Sequence, residues 1–475
     1  MQAVNTIPSL VELSLLGCQL STFPQSLPFV NLTSLSVLDL SHNHFRLSVL
    51  SYLAGCLISV TSLSFSLELL LRLNRFRGKF PESLGHFKNL ISIDLSDNEL
   101  SGQLPDSLGN LERLRSLDLS SNLISGSLPP PIGRLSLLEK LILFNNTMNG
   151  TIPESIGQLE GFSSSVCSMV DLSSNRFDCG IPLWYNLAYL FLRNYLLSGP
   201  IPLNIGELSS LKVLAVSGNL LNGSIPSSIS KLKNLEIVDL SDNHLSGKIP
   251  MHWNDLQLLE VIDLSMNKLS GGIPSLICSM PSLFRLELFL GQNQFNGHFP
   301  DSFGYLKNLR LIDVFDNRLS GQIPNSLGHL KNIRSINLSK NELSGPIPDS
   351  IGNLGNLRSL LLSDNAISGS IPPSIGKLLF LEELDLSHNG MNGTIPESIG
   401  QLKELLALTL DWNSWKGTPP SPLSFSTSQG WSMADLSFNR LEGPLPLWYN
   451  LTYLFCETIY FQVQFPPILA GNYQV

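Results

Sequence analysis

Leucine and other apolar residues recur along the chain in the pattern LxxLxLxxNxLxGxIP. Clear copies are LISIDLSDNELSGQLP, LRSLDLSSNLISGSLP and LRLIDVFDNRLSGQIP. The LxL part alternates apolar and polar positions, which predicts a short strand with Ile93 and Leu95 pointing inward and Asp94 and Ser96 pointing outward. One copy cannot bury its own leucines, so the copies are expected to stack and pair their strands as a parallel sheet.

The asparagine of the pattern marks each copy and shows the period. Counting Cys18 and Tyr195 as replacements, the marker occurs eighteen times, and eleven of the seventeen intervals are 24 residues long. We expect its amide to satisfy backbone groups of the turn after each strand, as an asparagine ladder. The Gly of LSG tolerates positive φ and the Pro of IP fixes φ, so both belong to the return path. The prediction is one α/β solenoid, a right-handed superhelix with parallel strands on its concave face and short helical or 3-10 segments on its convex face.

Two regions interrupt the period. The markers Asn43 and Asn74 are 31 residues apart, and the intervals on either side of Asn175 are 29 and 20 residues. The stretches MNGTIPESIGQL (148–159 and 391–402) and PLWYNL (182–187 and 446–451) each occur twice, which indicates a tandem duplication of about ten repeats. We therefore predict one repeat domain over 1–454, irregular at 44–73 and 155–195, followed by a tail at 455–475 without the pattern.

The composition and charge of the chain exclude or disfavour several classes of protein. The chain has 96 Leu in 475 residues, 43% hydrophobic and 14% charged residues, which excludes a mainly disordered protein. The 29 basic and 38 acidic residues leave a net charge of −9, so nucleic acid is not an expected partner. No apolar run reaches the roughly 18 to 20 residues of a membrane span, and no signal peptide is visible at the start. The six cysteines have neither metal-site spacing nor a dense disulfide framework.

The sequence contains few features that indicate an enzyme. The sequence contains no G-x-S-x-G, Walker or kinase motif, and no motif for a cofactor or a metal. The histidines have no recurring carboxylate or cysteine partner, so they are expected to be solvent-exposed surface residues: His42, His44, His86, His244, His252, His298, His329 and His388. We predict that the chain is not an enzyme.

The outward strand positions form the natural ligand surface. Most copies carry the Asp and Ser of LDLS there, so departures from this pattern identify candidate contacts with a protein or peptide. These departures are Phe144, Phe289, Phe315, Lys340, Leu361, Thr409, Asp411 and Trp412. Four of them, Phe315, Lys340, Leu361 and Trp412, lie in the longest regular run, from Asn293 to Asn413. We expect the binding surface there.

Seven N-x-[ST] sequons predict glycosylation outside the cytoplasm: Asn31, Asn145, Asn149, Asn222, Asn337, Asn392 and Asn450. Asn149, Asn222 and Asn392 also fit the repeat pattern, since NGT or NGS takes the place of LSG. Asn337 differs because it occupies an outward strand position. A glycan there would stand on the concave face, and a ligand would have to avoid that repeat.

The 24-residue pattern with LxGxIPxxLGxL resembles the plant-specific leucine-rich repeat. Phrases such as PSLVELSLLGCQL, LPFVNLTSLSVLDLS and MNGTIPESIGQL are similar to receptor-like proteins of the xylanase-elicitor receptor type, over about residues 8 to 454. The resemblance implies a leucine-rich repeat solenoid that forms the extracellular part of a plasma-membrane receptor. It also implies recognition of a microbial or self protein and signalling through partner receptor kinases in plant defence.

The chain departs from that class at both ends. Complete members begin with a signal peptide and a Cys-paired cap and end with a second cap, a membrane-spanning helix and a short tail, none of which is visible here. We therefore expect a fragment or a truncated gene product. Two alternatives stay open: a secreted inhibitor of the polygalacturonase-inhibiting kind, and a non-functional fragment of a duplicated receptor gene.

Overall fold

The computed structural model describes residues 9–21, 34–46, 66–164, 167–194, 196–275, 286–444 and 447–462. The chain divides into two compact units, Met1–His244 and Leu245–Val475. Each unit is built from the same element, a short strand, a turn, a second short strand and a return segment. The candidate glycosylation site Asn31, the marker position Tyr195 and two of the six cysteines, Cys56 and Cys278, lie outside the described residues.

The first strand of each repeat joins a parallel main sheet, and the strands pair in chain order within each unit. In the first unit these strands are Glu12–Ser14, Val37–Asp39, Leu67–Leu70, Leu90–Asp94, Ser116–Asp118, Lys140–Ile142, Met169–Asp171, Tyr189–Phe191, Val213–Ala215 and Ile237–Asp239. In the second unit they are Val261–Asp263, Leu286–Phe289, Leu309–Asp313, Ser335–Asn337, Ser359–Leu361, Glu383–Asp385, Ala407–Thr409, Met433–Asp435 and Tyr453–Phe455.

A second set of parallel strands follows the asparagine markers. In the first unit it comprises Arg77–Gly78, Glu99–Gly102, Leu123–Gly126, Thr147–Gly150 and Arg176–Phe177, and the pair Ser198–Pro200 and Leu220–Asn222. In the second unit it comprises Ser246–Gly247, Lys268–Gly271, Gln294–His298, Arg318–Gln322, Glu342–Gly345, Ala366–Gly369, Gly390–Gly393, Ser414–Gly417, Arg440–Pro444 and Tyr460–Gln462, with a separate pair Leu423–Ser424 and Trp448–Tyr449.

The return segments contain short 3-10 helices. In the first unit these are Glu82–His86, Asp106–Asn110, Pro130–Arg134, Glu154–Gln158, Ile205–Glu207 and Ser227–Lys231, and one α-helical turn spans Gly161–Ser164. In the second unit they are Trp253–Asp255, Asp301–Tyr305, Asn325–His329, Asp349–Asn353, Pro373–Lys377 and Glu397–Gln401. The predicted fold class, a repeat solenoid of parallel strands and short 3-10 segments, is confirmed.

The core lies between the main sheet and the return segments. Ile93 and Leu95 are fully buried, as the alternation predicts. The prediction for Ser96 is wrong, since only 6% of it is exposed. Its hydroxyl and its backbone N–H both donate to Oδ1 of Asp94, at 2.6 and 3.0 Å, which folds the serine back against the turn.

The asparagine ladder forms as predicted and links neighbouring repeats. In one copy the Nδ2 amide of Asn122 donates to the carbonyl oxygen of Leu119 at 3.1 Å and to that of Leu95, one repeat earlier, at 3.0 Å. Its Oδ1 accepts the backbone N–H of Leu100 at 2.9 Å. Each amide therefore satisfies buried backbone groups that the strand pairing leaves without partners.

Glycines in the 3-10 helices set how closely successive repeats approach. A Cβ atom on Gly109 would overlap the carbonyl oxygen of Pro131 in the next helix, and one on Gly328 would overlap that of Ser350. The Gly of the LGxL segment is thus required by a backbone contact between neighbouring return segments. The pattern alone did not indicate this role.

The irregular intervals are absorbed without loss of register. Leu67–Leu70 pairs with Val37–Asp39 across the 31-residue interval, and the α-helical turn Gly161–Ser164 lies in the 29-residue interval. The described part of the 20-residue repeat after Asn175 contains no helix. Pairing also continues past residue 454, because Tyr453–Phe455 pairs with Met433–Asp435 and Tyr460–Gln462 pairs with Arg440–Pro444.

Candidate functional site

The last residue of each main-sheet strand in the second unit lies on the open face of the sheet. Strand pairing places these residues in a single row, called here the centre row: Asp263, Phe289, Asp313, Asn337, Leu361, Asp385, Thr409, Asp435 and Phe455. The candidates Phe289, Leu361 and Thr409 all belong to it and are all partly exposed. Polar residues separate them, so they are spread along the face and do not form one cluster.

A second row runs beside the first, formed by the residue immediately before each asparagine marker. Every described member of this turn row in the second unit has a left-handed backbone, with φ between 51° and 56°: Met266, Gln292, Asp316, Lys340, Asp364, His388, Trp412 and Phe438. The candidates Lys340 and Trp412 are therefore equivalent positions in different repeats. The left-handed turn directs each of these side chains in the same way relative to its strand.

Lys340 lies against the candidate Phe315 of the preceding repeat. The Nζ atom of Lys340 is 5.0 Å from the centroid of the Phe315 ring, which is the geometry of a cation–π contact. Lys340 is exposed and Phe315 is partly exposed. These two candidates are brought together by the fold, since their side chains come from adjacent turns.

Trp412 is the middle ring of a three-ring stack in the turn row. Its ring centroid is 5.4 Å from that of His388, with planes 14° apart, and 4.2 Å from that of Phe438, with planes 18° apart. Both faces of the indole are thus covered, and 50% of Trp412 is still exposed through its edge. His388 and Phe438 were missed by the sequence analysis; their shared position before the marker was the available signal.

Asp411 places a carboxyl group beside this stack. Its Oδ2 atom is 3.7 Å from Nε2 of His388, and 15% of its side chain is exposed. Burial, reinforced by repulsion from Asp435 and Asp385, raises the pKa of Asp411 to about 6, while His388 acts in the opposite direction. The end of the open face near Trp412 therefore combines an exposed aromatic edge with acidic groups of adjacent strands.

Phe144 lies in the first unit and is separate from the other candidates. It is 37% exposed and follows the strand Lys140–Ile142. The neighbouring Asn145 has the left-handed backbone of the turn positions, with φ 56°. Phe144 thus occupies an outward position of the main sheet, as predicted, without an aromatic contact to another candidate among the described residues.

The histidines are exposed, as predicted. His388 differs from the expectation in one respect, because it has both a carboxylate and an aromatic neighbour. Among the described residues no three His, Cys, Asp or Glu side chains are arranged to hold a metal ion. None of the helices in the described ranges is long and apolar enough to span a bilayer.

A cavity of about 580 Å³ opens on the return side of the first unit, at the short repeat. It is lined by residues that include Glu154, Gly157, Cys179, Trp184 and Tyr185. Trp184 is 2% exposed, and a Cβ atom on Gly157 would lie 2.7 Å from its ring, so the indole replaces the usual contact between helices. Burial raises the pKa of Cys179, which disfavours the reactive thiolate form.

Comparison with protein families shows leucine-rich repeats in both units. The leucine rich repeat model matches 68–124, and a second model of the same kind matches 34–56, 210–232, 234–256, 258–280, 308–330, 332–354, 356–378 and 380–402. Together these matches cover about half of the chain. No curated protein sequence matches the chain significantly.

Several solved structures share the fold along most of the chain. The Arabidopsis receptor kinase HAESA, in complex with the peptide hormone IDA and the co-receptor SERK1, has a TM-score of 0.73 and 29% identity over 98% of this chain and 89% of that one. The plant peptide hormone receptor RGFR1, in complex with RGF2, has a TM-score of 0.70 and 28% identity over 91% and 83%. A leucine-rich repeat protein of Leptospira interrogans has a TM-score of 0.63 and 28% identity over 87% and 93%.

Proposed function

The chain belongs to the leucine-rich repeat family, and on that premise we propose that it recognises a peptide or protein ligand on the open face of its second unit. The observation that carries the proposal is the replacement of small polar residues by Phe315, Lys340 and the Trp412 stack within one regular run of strands. Exposed aromatic and cationic side chains are the residue types enriched at protein interfaces. Two of the similar structures are plant receptors in complex with peptide hormones, which supports a peptide as ligand.

The rows favour a ligand that lies across several repeats. Neighbouring strands of a sheet are about 4.8 Å apart, so the repeats from Phe315 to Phe438 offer contacts over roughly 25 Å. An extended chain rises about 3.3 Å per residue, and about seven or eight ligand residues would span this distance. Lys340 would meet an acidic or carbonyl group, and the Trp412 edge with Asp411 would meet an apolar or cationic one.

We further propose the finer reading that the resemblance implies. The chain would serve as the extracellular part of a receptor-like protein of the xylanase-elicitor receptor class, at the plasma membrane, and signal through a partner receptor kinase in plant defence. The complex of HAESA with a co-receptor supports a partner of this kind. Binding without catalysis is part of the proposal, with a secreted polygalacturonase-inhibitor-like protein as the alternative.

Glycosylation belongs to the same proposal. Five of the sequon asparagines are exposed: Asn145, Asn149, Asn222, Asn392 and Asn450. Asn337 is only partly exposed, and its Oδ1 accepts the backbone N–H of Ser339 at 3.2 Å while its amide bonds to Asp313. A glycan on Asn337 would occupy the centre row. Mapping of glycopeptides from secreted protein tests this, and an unmodified Asn337 would leave the face open to ligand.

Selection from a randomised peptide library tests the binding face. Clones selected on the wild-type protein are measured against a triple variant with Phe315→Ser, Lys340→Ser and Trp412→Ser. The matched control is Leu203→Ser, an 84% exposed residue of the first unit that belongs to neither row. We expect most selected peptides to stop binding the triple variant and to bind the control as well as the wild type. Clones that bind both variants as well as the wild type would contradict the proposal.

A further inference from the structure

A column of equivalent residues runs along the edge of the main sheet where the strands begin, and some of its members are charged. Each member lies two positions before the buried central residue of its strand. In three places a basic member forms an ion pair with an acidic member one repeat later: Arg115 with Glu139, Lys212 with Glu236 and Arg358 with Glu382. In each of these three pairs the glutamate of the next repeat neutralises the basic residue locally.

Arg310 and Arg334 have no glutamate at the equivalent position of the next repeat. The next member after Arg310 is Arg334, and the next after Arg334 is Arg358. Their backbones are held in register, since the N–H of Arg334 donates to the carbonyl oxygen of Arg310 at 2.7 Å and that of Arg358 to Arg334 at 2.8 Å. In the described part of the chain neither Arg310 nor Arg334 has an ion-pair partner. Two guanidinium groups on successive strands, about 5 Å apart at the backbone, therefore lack an internal counter-charge.

The surrounding segment is basic in an acidic protein. Residues 301–360 contain seven basic and five acidic residues, whereas the whole chain has a net charge of −9. Lys307 and Lys331 lie three residues before Arg310 and Arg334, on the same edge, and the Nζ atom of Lys331 donates to the carbonyl oxygen of Asn353 at 3.3 Å. Lys307, Arg310, Lys331 and Arg334 thus place four positive charges beside the starts of two consecutive strands.

We propose that Arg310 and Arg334 bind the carboxylate side chains of an acidic segment of a partner protein or peptide. A carboxylate placed between the two guanidinium groups would accept hydrogen bonds from both and remove their mutual repulsion. In the other pairs of the column, a glutamate of the next repeat supplies this carboxylate. The surface lies at the opposite edge of the sheet from the turn row of Lys340 and Trp412, so the proposal holds whether or not that row binds a ligand.

Binding of capped peptides tests the proposal. The probes are fluorescently labelled hexaglutamate and hexaglutamine, both acetylated and amidated so that side-chain carboxylates are their only charges besides the label. The test variant carries Arg310→Gln and Arg334→Gln. The control carries Arg115→Gln and Lys212→Gln, which lowers the net charge by the same amount at positions that already have a glutamate partner.

We expect hexaglutamate to bind the wild type and the control, and to bind the test variant about tenfold more weakly, with the difference shrinking as salt is added. Hexaglutamine should not bind. Equal losses in both double variants, equal binding of the two peptides, or no binding to the wild type would overturn the proposal. Circular dichroism of each variant shows whether its fold is intact.

A second variant distinguishes weaker binding caused by the changed charge from weaker binding caused by misfolding. Arg334→Glu recreates the Arg–Glu sequence that the column uses elsewhere, so the new carboxylate should pair with Arg310 or Arg358 and the variant should fold. Hexaglutamate should then bind more weakly than to Arg334→Gln alone, with the thermal midpoint retained. Wild-type affinity in Arg334→Glu would contradict the assignment.

Discussion

The indole ring of Trp412 stacks on the phenyl ring of Phe438, one repeat later, with centroids 4.2 Å apart. Both residues precede an asparagine marker and have left-handed backbones, with φ of 52° and 55°. The stack therefore depends on the turn geometry as much as on the choice of two aromatic residues. It joins two repeats on the face proposed to bind ligand.

A double-mutant cycle on this stack measures that link. Trp412→Ala and Phe438→Ala should each destabilise the second unit, and their effects should be coupled by about 0.5–1.5 kcal/mol, the usual range for aromatic pairs. Denaturant unfolding of the four proteins gives the coupling. Additive effects would show that the rings do not support each other in solution.

Replacing an asparagine of the ladder by alanine should lower the stability far more than replacing an exposed asparagine. Asn122→Ala leaves the carbonyl oxygens of Leu95 and Leu119 and the N–H of Leu100 without their buried partner, which should cost about 2–4 kcal/mol. Asn356→Ala is the control, because its amide donates to the carbonyl oxygen of Lys331 at an exposed site. Its expected cost is within about 1 kcal/mol. Comparable losses in the two variants, measured by denaturant unfolding, would contradict the ladder's role.

Two glycines of the return segments should respond differently to alanine. Gly109→Ala places a Cβ atom on the carbonyl oxygen of Pro131, so we expect a destabilisation of about 2 kcal/mol or more. A Cβ atom on Gly355 would lie in open space. Gly355→Ala should therefore change stability by no more than about 0.5–1 kcal/mol. Thermal unfolding distinguishes them. A tolerated Gly109→Ala would mean that neighbouring helices can separate at little cost.

Asp411 should make stability depend on pH in the acidic range. Its pKa is raised from 3.8 to about 6 in the folded state, so between these values the folded protein holds a proton that the unfolded chain has released. The free energy of unfolding should therefore fall as the pH rises through this window. Asp411→Asn removes this contribution, and its thermal midpoint should fall less than that of the wild type between about pH 4 and pH 6. Parallel pH profiles would contradict the raised pKa.

The repeat period allowed the strand, the ladder and the return path to be predicted, because each depends on residues that are close in sequence and recur in every copy. Ser96 was misplaced because its hydroxyl bonds locally to Asp94, a contact that simple alternation does not describe. The extension of pairing to Gln462 was also missed, since Thr458 and Tyr460 keep the backbone geometry without the consensus residues.

The candidate binding residues could likewise be predicted only in part from the sequence. That Phe315, Lys340 and Trp412 depart from the consensus could be read directly from the repeats. Which of them touch depended on left-handed turns and on register: Lys340 reaches Phe315, Trp412 reaches His388 and Phe438, and Leu361 stands apart from both groups.

The sequence by itself determined the solenoid class, the strand positions, the asparagine ladder and the set of unusual outward residues, because burial of apolar residues at a fixed period has one stable arrangement. Only the tertiary structure decided which side chains of successive repeats meet, and which charges, such as those of Arg310 and Arg334, have no partner among the described residues. Such contacts depend on stacking residues about 24 positions apart within a few ångströms, a distance set by the packing of neighbouring backbones.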